Sequence, residues 1–398
     1  MIEIRGDSPQ CAVRGGQQRY GVQHRETSGQ VTARLIRAAR RHGKMAEIGG
    51  DGRLAARQQN PGCLTWRRLW MMAAMTEVKN SSSAALWGGI AFSFAFTALI
   101  WYAGQHWLQP GSLTPERPGF WYEWQLLEPT VWTRATAWGG YLLHQIAIWW
   151  LIWSAQQQRP GYTKGLHRFN VLALGVNALF IALHFVQTQV WYDGLAQDVH
   201  ETTAQWSVIL LLMAVVLMEN QRRGLVFGLG SNWLAQAGPF VRRYHGYYFA
   251  WATIYTFWYH PMEDTWGHLF GFLYMFLLLL QGSLFFTRAH VNRQWTAVIE
   301  VAFGFHGAMV AYLAGQAWQM FLMGGLGMFI VTQMHGLGLS RRARWLIAIG
   351  YIAVTGALYS QRGWQHLPEV AGIPLTILGG AFVLGLLTLG GRRLVHPA

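Results

Sequence analysis

From residue 84 onward the chain repeats one pattern: a run of fourteen to twenty-three mostly apolar residues, then a short polar break. Such runs occupy 84–103, 136–153, 169–190, 204–218, 245–260, 268–286, 295–317, 320–333, 345–359 and 373–389. A hydrocarbon core about 30 Å thick is crossed by about 20 apolar residues in a helix, where each backbone N–H and C=O is bonded within the segment. The pattern therefore predicts an all-α, polytopic integral membrane bundle of about ten transmembrane helices. The runs at 204–218 and 320–333 are short, as expected of a steep or partly re-entrant segment.

Charges in the breaks orient these helices. Alternate breaks hold Arg159, Lys164 and Arg168; Arg222, Arg223, Arg242 and Arg243; Arg288 and Arg293; and Arg341, Arg342 and Arg344, with Arg392 and Arg393 after the last run. The other set holds Asp193, Asp198 and Glu201, then Glu263 and Asp264, then Glu369. Basic residues stay on the cytoplasmic side. Ten spans put all the basic clusters there and predict both termini in the cytoplasm, in a cytoplasmic (inner) membrane.

Composition agrees with this reading. Of 398 residues, 52% are hydrophobic and only 12% charged, about half the charge of an ordinary soluble domain. A disordered chain, a collagen, a coiled coil and a disulfide-stapled module are excluded. The formal net charge of +14 is uneven. Residues 1–68 hold thirteen Lys/Arg against five Asp/Glu, and both cysteines, Cys11 and Cys63. Residues 1–74 read as a basic leader of low order, and the run from Met75 into the first apolar segment suggests translation starting near Met75. The transmembrane helical domain is then 75–398. It has no cysteine, so thiolate metal sites and thiol catalysis are excluded there. No nucleic-acid partner is expected for it; the lipid bilayer is its surrounding, with a quinone or another membrane subunit as candidate partners. The break at 105–134 is rich in Trp and Tyr (Trp107, Phe120, Trp121, Tyr122, Trp124, Trp132) and suits the membrane–water interface.

Candidate chemistry lies in the histidines. Ionisable residues are costly inside a bilayer and are retained mostly where they work. His144 and His306 fall near mid-span, His184, His260 and His268 near the outer face, and His245 and His335 near the inner face, with His290 in a break. Imidazole is a common ligand for haem iron and other metals. His245 and His260 are fifteen residues apart; in one helix that is about 22 Å along the axis and about 60° around it. This layout would let one helix ligate two stacked haems, with His184 or His268 opposite outside and His335 opposite inside. Glu300 and His306 would then handle protons. A second arrangement is a His/carboxylate metal site at the outer face from His260, Glu263, Asp264, His268 and His200, a donor set that suits Zn, Mn or non-haem Fe.

The sequence thus points to a multi-pass membrane protein, with a redox role through haem or a metal as the leading expectation. The alternatives are a proton-coupled transporter with a site at His144, His306 and Glu300, and a non-catalytic subunit of a membrane complex. Gln281, Gln333 and Asn177 are further candidates for lining a polar path.

Overall fold

The computed structural model describes residues 46–48, 54–56, 77–115, 124–158, 160–230 and 236–395. Residues 1–65 form a separate unit, in which β1 (Ala46–Ile48) pairs antiparallel with β2 (Leu54–Ala56). Cys11 and Cys63 of the leader and the aromatic residues Phe120, Trp121 and Tyr122 lie outside the described residues. In the second unit β3 (Glu77–Ser81) pairs with β4 (Gly165–His167).

Among the described residues ten α-helices follow, each overlapping one of the apolar runs. They are α1 (Ser82–His106), α2 (Val131–Gln158), α3 (Arg168–Trp191), α4 (Glu201–Arg223) and α5 (Gly238–Tyr259), then α6 (Trp266–Ser283), α7 (Arg293–Leu313), α8 (Trp318–Val331), α9 (Arg341–Arg362) and α10 (Gly372–Val395). Their starts are written in the sequence. Ser81, Thr265, Asn292 and Ser340 each accept a hydrogen bond from the first-turn backbone of α1, α6, α7 and α9, satisfying a donor that the helix cannot. Gly224 after α4 and Gly363 after α9 take positive φ, +75° and +104°, which ends a helix without a Cβ clash.

Among the described residues seven segments are long and apolar enough to cross a membrane: α1, α3, α4, α6, α7, α9 and Trp364–Gly390, which contains most of α10. This is compatible with a multi-pass membrane protein. The exceptions have visible causes. Helices α2 and α5 dilute their apolar residues with His, Gln, Tyr and Trp. Helix α8 has only 14 residues, a rise of about 21 Å. The 204–218 run, by contrast, is extended at both ends into a 23-residue helix.

Side-chain contacts show that the helices alternate in direction. The ends of α1 and α3 and the starts of α2, α4 and α6 gather at one pole, where Gln105 bonds Asp264, Arg134 bonds Asp198 (2.8 Å), and Gln125 bonds the Ala196 carbonyl. At the opposite pole Thr163 bridges Thr287, His245 approaches His290, and Arg223 bonds Glu300. We call these the acidic and basic poles, after the charges each carries. The main core joins α1, α2, α3, α5 and α6 through Ile100, Ile148, Phe180, Phe257, Trp258 and Phe272. A second joins α1, α6 and α7, and a third joins α4, α8 and α10. Leu143 and Ile146 of α2 and Leu346, Ile349 and Ile352 of α9 remain exposed. Contiguous apolar surface of this kind suits contact with lipid.

Candidate functional site

Helices α2, α3, α5 and α6 carry a row of imidazoles through the main core toward the acidic pole. His144 is fully buried and stacked on Phe180, with ring centroids 4.5 Å apart. Its Nε2–H donates to Asn177 Oδ1 (2.7 Å), and Trp258 Nε1–H donates to its Nδ1 (3.3 Å). Asn177 cannot turn, because its amide nitrogen donates to Ser283 Oγ (2.8 Å). The tautomer of His144 is therefore set by three helices at once.

On the other side of Trp258 lies His184, 4.3 Å between ring centroids. Both of its ring nitrogens face oxygen: Nδ1 meets Gln187 Oε1 (2.9 Å) and Nε2 meets the His260 carbonyl (2.9 Å). Gln187 spends its amide nitrogen on the Asp193 carbonyl (3.1 Å), so its oxygen stays turned to the ring. Neither nitrogen of His184 is left facing an open position for a metal.

The other acidic-pole candidates are dispersed. His260 is not in the helix: it caps α5 in extended conformation, φ −105° and ψ 139°. The helical arithmetic linking it to His245 fails at that residue. His260 and His268 lie with centroids 5.4 Å apart and rings nearly perpendicular. His268 bonds Thr265 Oγ1 (2.7 Å) and stands nearly perpendicular to the Trp124 ring, 4.6 Å between centroids. Glu263 accepts from the Tyr192 hydroxyl, and burial raises its carboxyl above the usual range, with Asp264 adding to the rise. Asp264 is held by Gln105, and His200 caps α4 through Thr202. Among the described residues no group of three His, Cys, Asp or Glu is placed to hold a metal ion. The five-residue set expected from the sequence is thus divided among separate hydrogen bonds. Nearby, burial pushes the Asp193 carboxyl up to about 6.

His306 bonds the Gly267 carbonyl and stacks with Tyr274 at 6.1 Å. Glu300 forms a buried ion pair with Arg223 of α4 (2.6 Å). The residues grouped for a proton-coupled site, His144, His306 and Glu300, each have a partner of their own.

At the basic pole two imidazoles face each other. His245 in α5 and His290 in the α6–α7 turn have ring centroids 6.4 Å apart and planes inclined by 37°. Each gives its Nδ1–H to a backbone carbonyl: His245 to Arg242 (2.6 Å) and His290 to Gln281 (2.8 Å). Each Nε2 therefore keeps its lone pair. The His290 turn is clamped further, since Gln281 Nε2 donates to the His290 carbonyl (2.9 Å) and Trp295 Nε1 donates to Gln281 Oε1 (2.7 Å). Burial pushes the His290 imidazole down to about 4, with His245 contributing, which keeps it neutral and able to ligate at neutral pH. His335, expected opposite His245, sits elsewhere: its Nε2–H donates to the Ile330 carbonyl (3.2 Å) and its Nδ1 accepts from Arg344 (3.2 Å).

His290 was visible in the sequence only as a histidine in a polar break. Its pairing with His245 spans 45 residues and has no periodicity to announce it. A glutamine fourteen residues before a tryptophan was the one local sign of a braced turn.

No protein-family model matches the chain, and no curated protein or solved structure matches it.

Proposed function

We propose that the chain is a ten-span protein of a cytoplasmic membrane, with the basic pole in the cytoplasm, and that it is a redox protein holding a b-type haem between His245 and His290. The observation that carries this reading is the spacing of that pair. Two metal–nitrogen bonds of about 2 Å on opposite sides of one ion put the ring centroids about 6 Å apart, since each centroid lies about 1 Å beyond its nitrogen. The His245–His290 distance of 6.4 Å fits this; the 5.4 Å of His260–His268 is short for a linear pair.

The surroundings support the same reading. Both Nδ1–H groups are given to carbonyls, the arrangement that orients a ligating imidazole and raises its basicity. For a metal held by these two nitrogens, a porphyrin would supply four further ligands in one plane. Haem bound here would carry one electron at a time. This chain's residues would supply two neutral ligands fixed in tautomer, and the Arg242, Arg243 and Arg288 side chains of the same pole suit propionates.

The test is the visible spectrum of the purified chain in mild detergent, oxidised and then reduced with dithionite, with iron measured on the same sample. A Soret band that shifts on reduction is expected. It should be lost in His245→Ala and in His290→Ala and kept in His335→Ala. A colourless, iron-free protein would sink the proposal.

A further inference from the structure

Helix α9 begins with Arg341, Arg342 and Arg344 at the basic pole and is then apolar for several turns. It is held by one face. Tyr351, Thr355 and Tyr359 recur every fourth residue and so lie one above another. The Tyr351 hydroxyl donates to the Met323 carbonyl of α8 (3.0 Å), and Thr355 and Tyr359 are buried. Arg344 turns the same way, with Nη1 on His335 Nδ1 (3.2 Å). Of the seven apolar segments, α9 has the smallest share of its residues buried, 11%.

The opposite face is open. At 100° per residue, Arg342, Trp345, Leu346, Ile349 and Ile352 fall on one side. The four apolar members are 58–70% exposed, and a Cβ on Gly350 among them would meet nothing within 4 Å. From Trp345 to Val354 this stretch measures about 15 Å, half of a hydrocarbon core of about 30 Å. It therefore has the depth of one leaflet, with two exposed arginines at its mouth.

Charge selects the occupant. Other arginines of the basic pole are engaged: Arg222 with Glu219, Arg223 with Glu300 and Arg242 with the Met218 carbonyl. Arg341 and Arg342 form no ion pair among the described residues. Two unmatched positive charges above an apolar strip complement an anionic head on an apolar tail. A second copy of the chain fits worse. In a membrane its two-fold axis runs along the normal, so contact through this face would set the same arginines against each other.

We propose that the outward face of α9 binds a phospholipid with an anionic headgroup, its phosphate at Arg341 and Arg342 and an acyl chain along Leu346, Ile349 and Ile352. Trp345 then lies at the membrane–water boundary, where its ring is favoured. The inference rests on the placement of the chain in a bilayer with its basic pole at an anionic leaflet, and it is independent of the haem at His245 and His290.

The experiment is native mass spectrometry of the full chain, stripped of lipid in mild detergent and then given equal amounts of phosphatidylglycerol and phosphatidylcholine. Each arginine near an anionic lipid is worth about fivefold in affinity. Phosphatidylglycerol should therefore be retained with a preference of about twenty-five-fold. The double variant Arg341→Gln/Arg342→Gln should lose the preference. Lys164→Gln/Arg293→Gln removes the same charge from other exposed positions of the basic pole and should keep it. Equal retention of the two lipids by the parent, equal loss in both double variants, or a lipid-free dimer would overturn the inference. A chain that stays in solution without detergent would overturn the membrane placement and this site with it. A haem-free chain that keeps the preference would overturn the haem alone.

Discussion

Histidine is a ligand, a donor or a relay according to what its second nitrogen meets, and this chain contains all three settings. His144 donates to Asn177 and accepts from Trp258; His184 faces oxygen on both sides; His245 and His290 each spend one nitrogen on a carbonyl and leave the other open. Of these four, His245 and His290 keep a lone pair free for a metal. Carboxylates sort in the same way. Asp193 is 3% exposed, and its Oδ1 accepts from Gly194 N–H (2.7 Å). Burial raises its carboxyl to about 6, against an unfolded value of about 3.9. The folded state thus disfavours the ionised form, so stability falls as pH rises from about 4 through about 6, by an amount on the order of 3 kcal/mol. Asp193→Asn keeps the oxygen and removes the charge. Its thermal midpoint in detergent should match the parent near pH 4 and exceed it at pH 7; equal midpoints at both would show that the buried carboxylate carries no such penalty.

Among the elements, α8 departs most from a plain membrane helix. It is short, and it packs so closely on α7 that a Cβ on Gly325 would lie 2.9 Å from the Gly304 Cα. Backbone cannot move aside as a side chain can, and overpacking of this kind costs about 1–3 kcal/mol. Gly325→Val should lower the thermal midpoint, whereas Gly379→Val on α10, with nothing within 4 Å of its Cβ position, should leave it unchanged. Equal effects would mean that Gly325 is only a poor helix former. The same closeness brings Gly304 and Gly325 together at a small cleft between α4, α7, α8 and α10. Periodicity located α8 and showed that it was short. It could not show that Thr332 and Gln333 end beside Glu300, because that proximity depends on where α7 and α10 pack.

At the scale of the whole molecule, alternation of helix direction sorts charge to two poles, which is the condition for one orientation in a membrane. The absence of cysteine after Cys63 makes this directly measurable. With Cys11 and Cys63 changed to Ser, Gly161→Cys at the basic pole and Gly111→Cys at the acidic pole should react with an impermeant maleimide from opposite sides, Gly111→Cys from outside. Labelling of both from one side would refute the ten-span arrangement. The apolar runs, the capping residues and the charge of each break are local properties, so the sequence alone located the ten described helices and the separation of charge, with helix limits missed by up to seven residues, at the start of α5. Partners across the bundle are not local. That His245 meets His290 rather than His335, that the acidic-pole carboxylates Glu263 and Asp264 are taken up by Tyr192 and Gln105, and that Gln333 Oε1 is buried without a hydrogen-bond partner were decided by tertiary packing, because the order of helices around a bundle is set by the shapes of their buried faces.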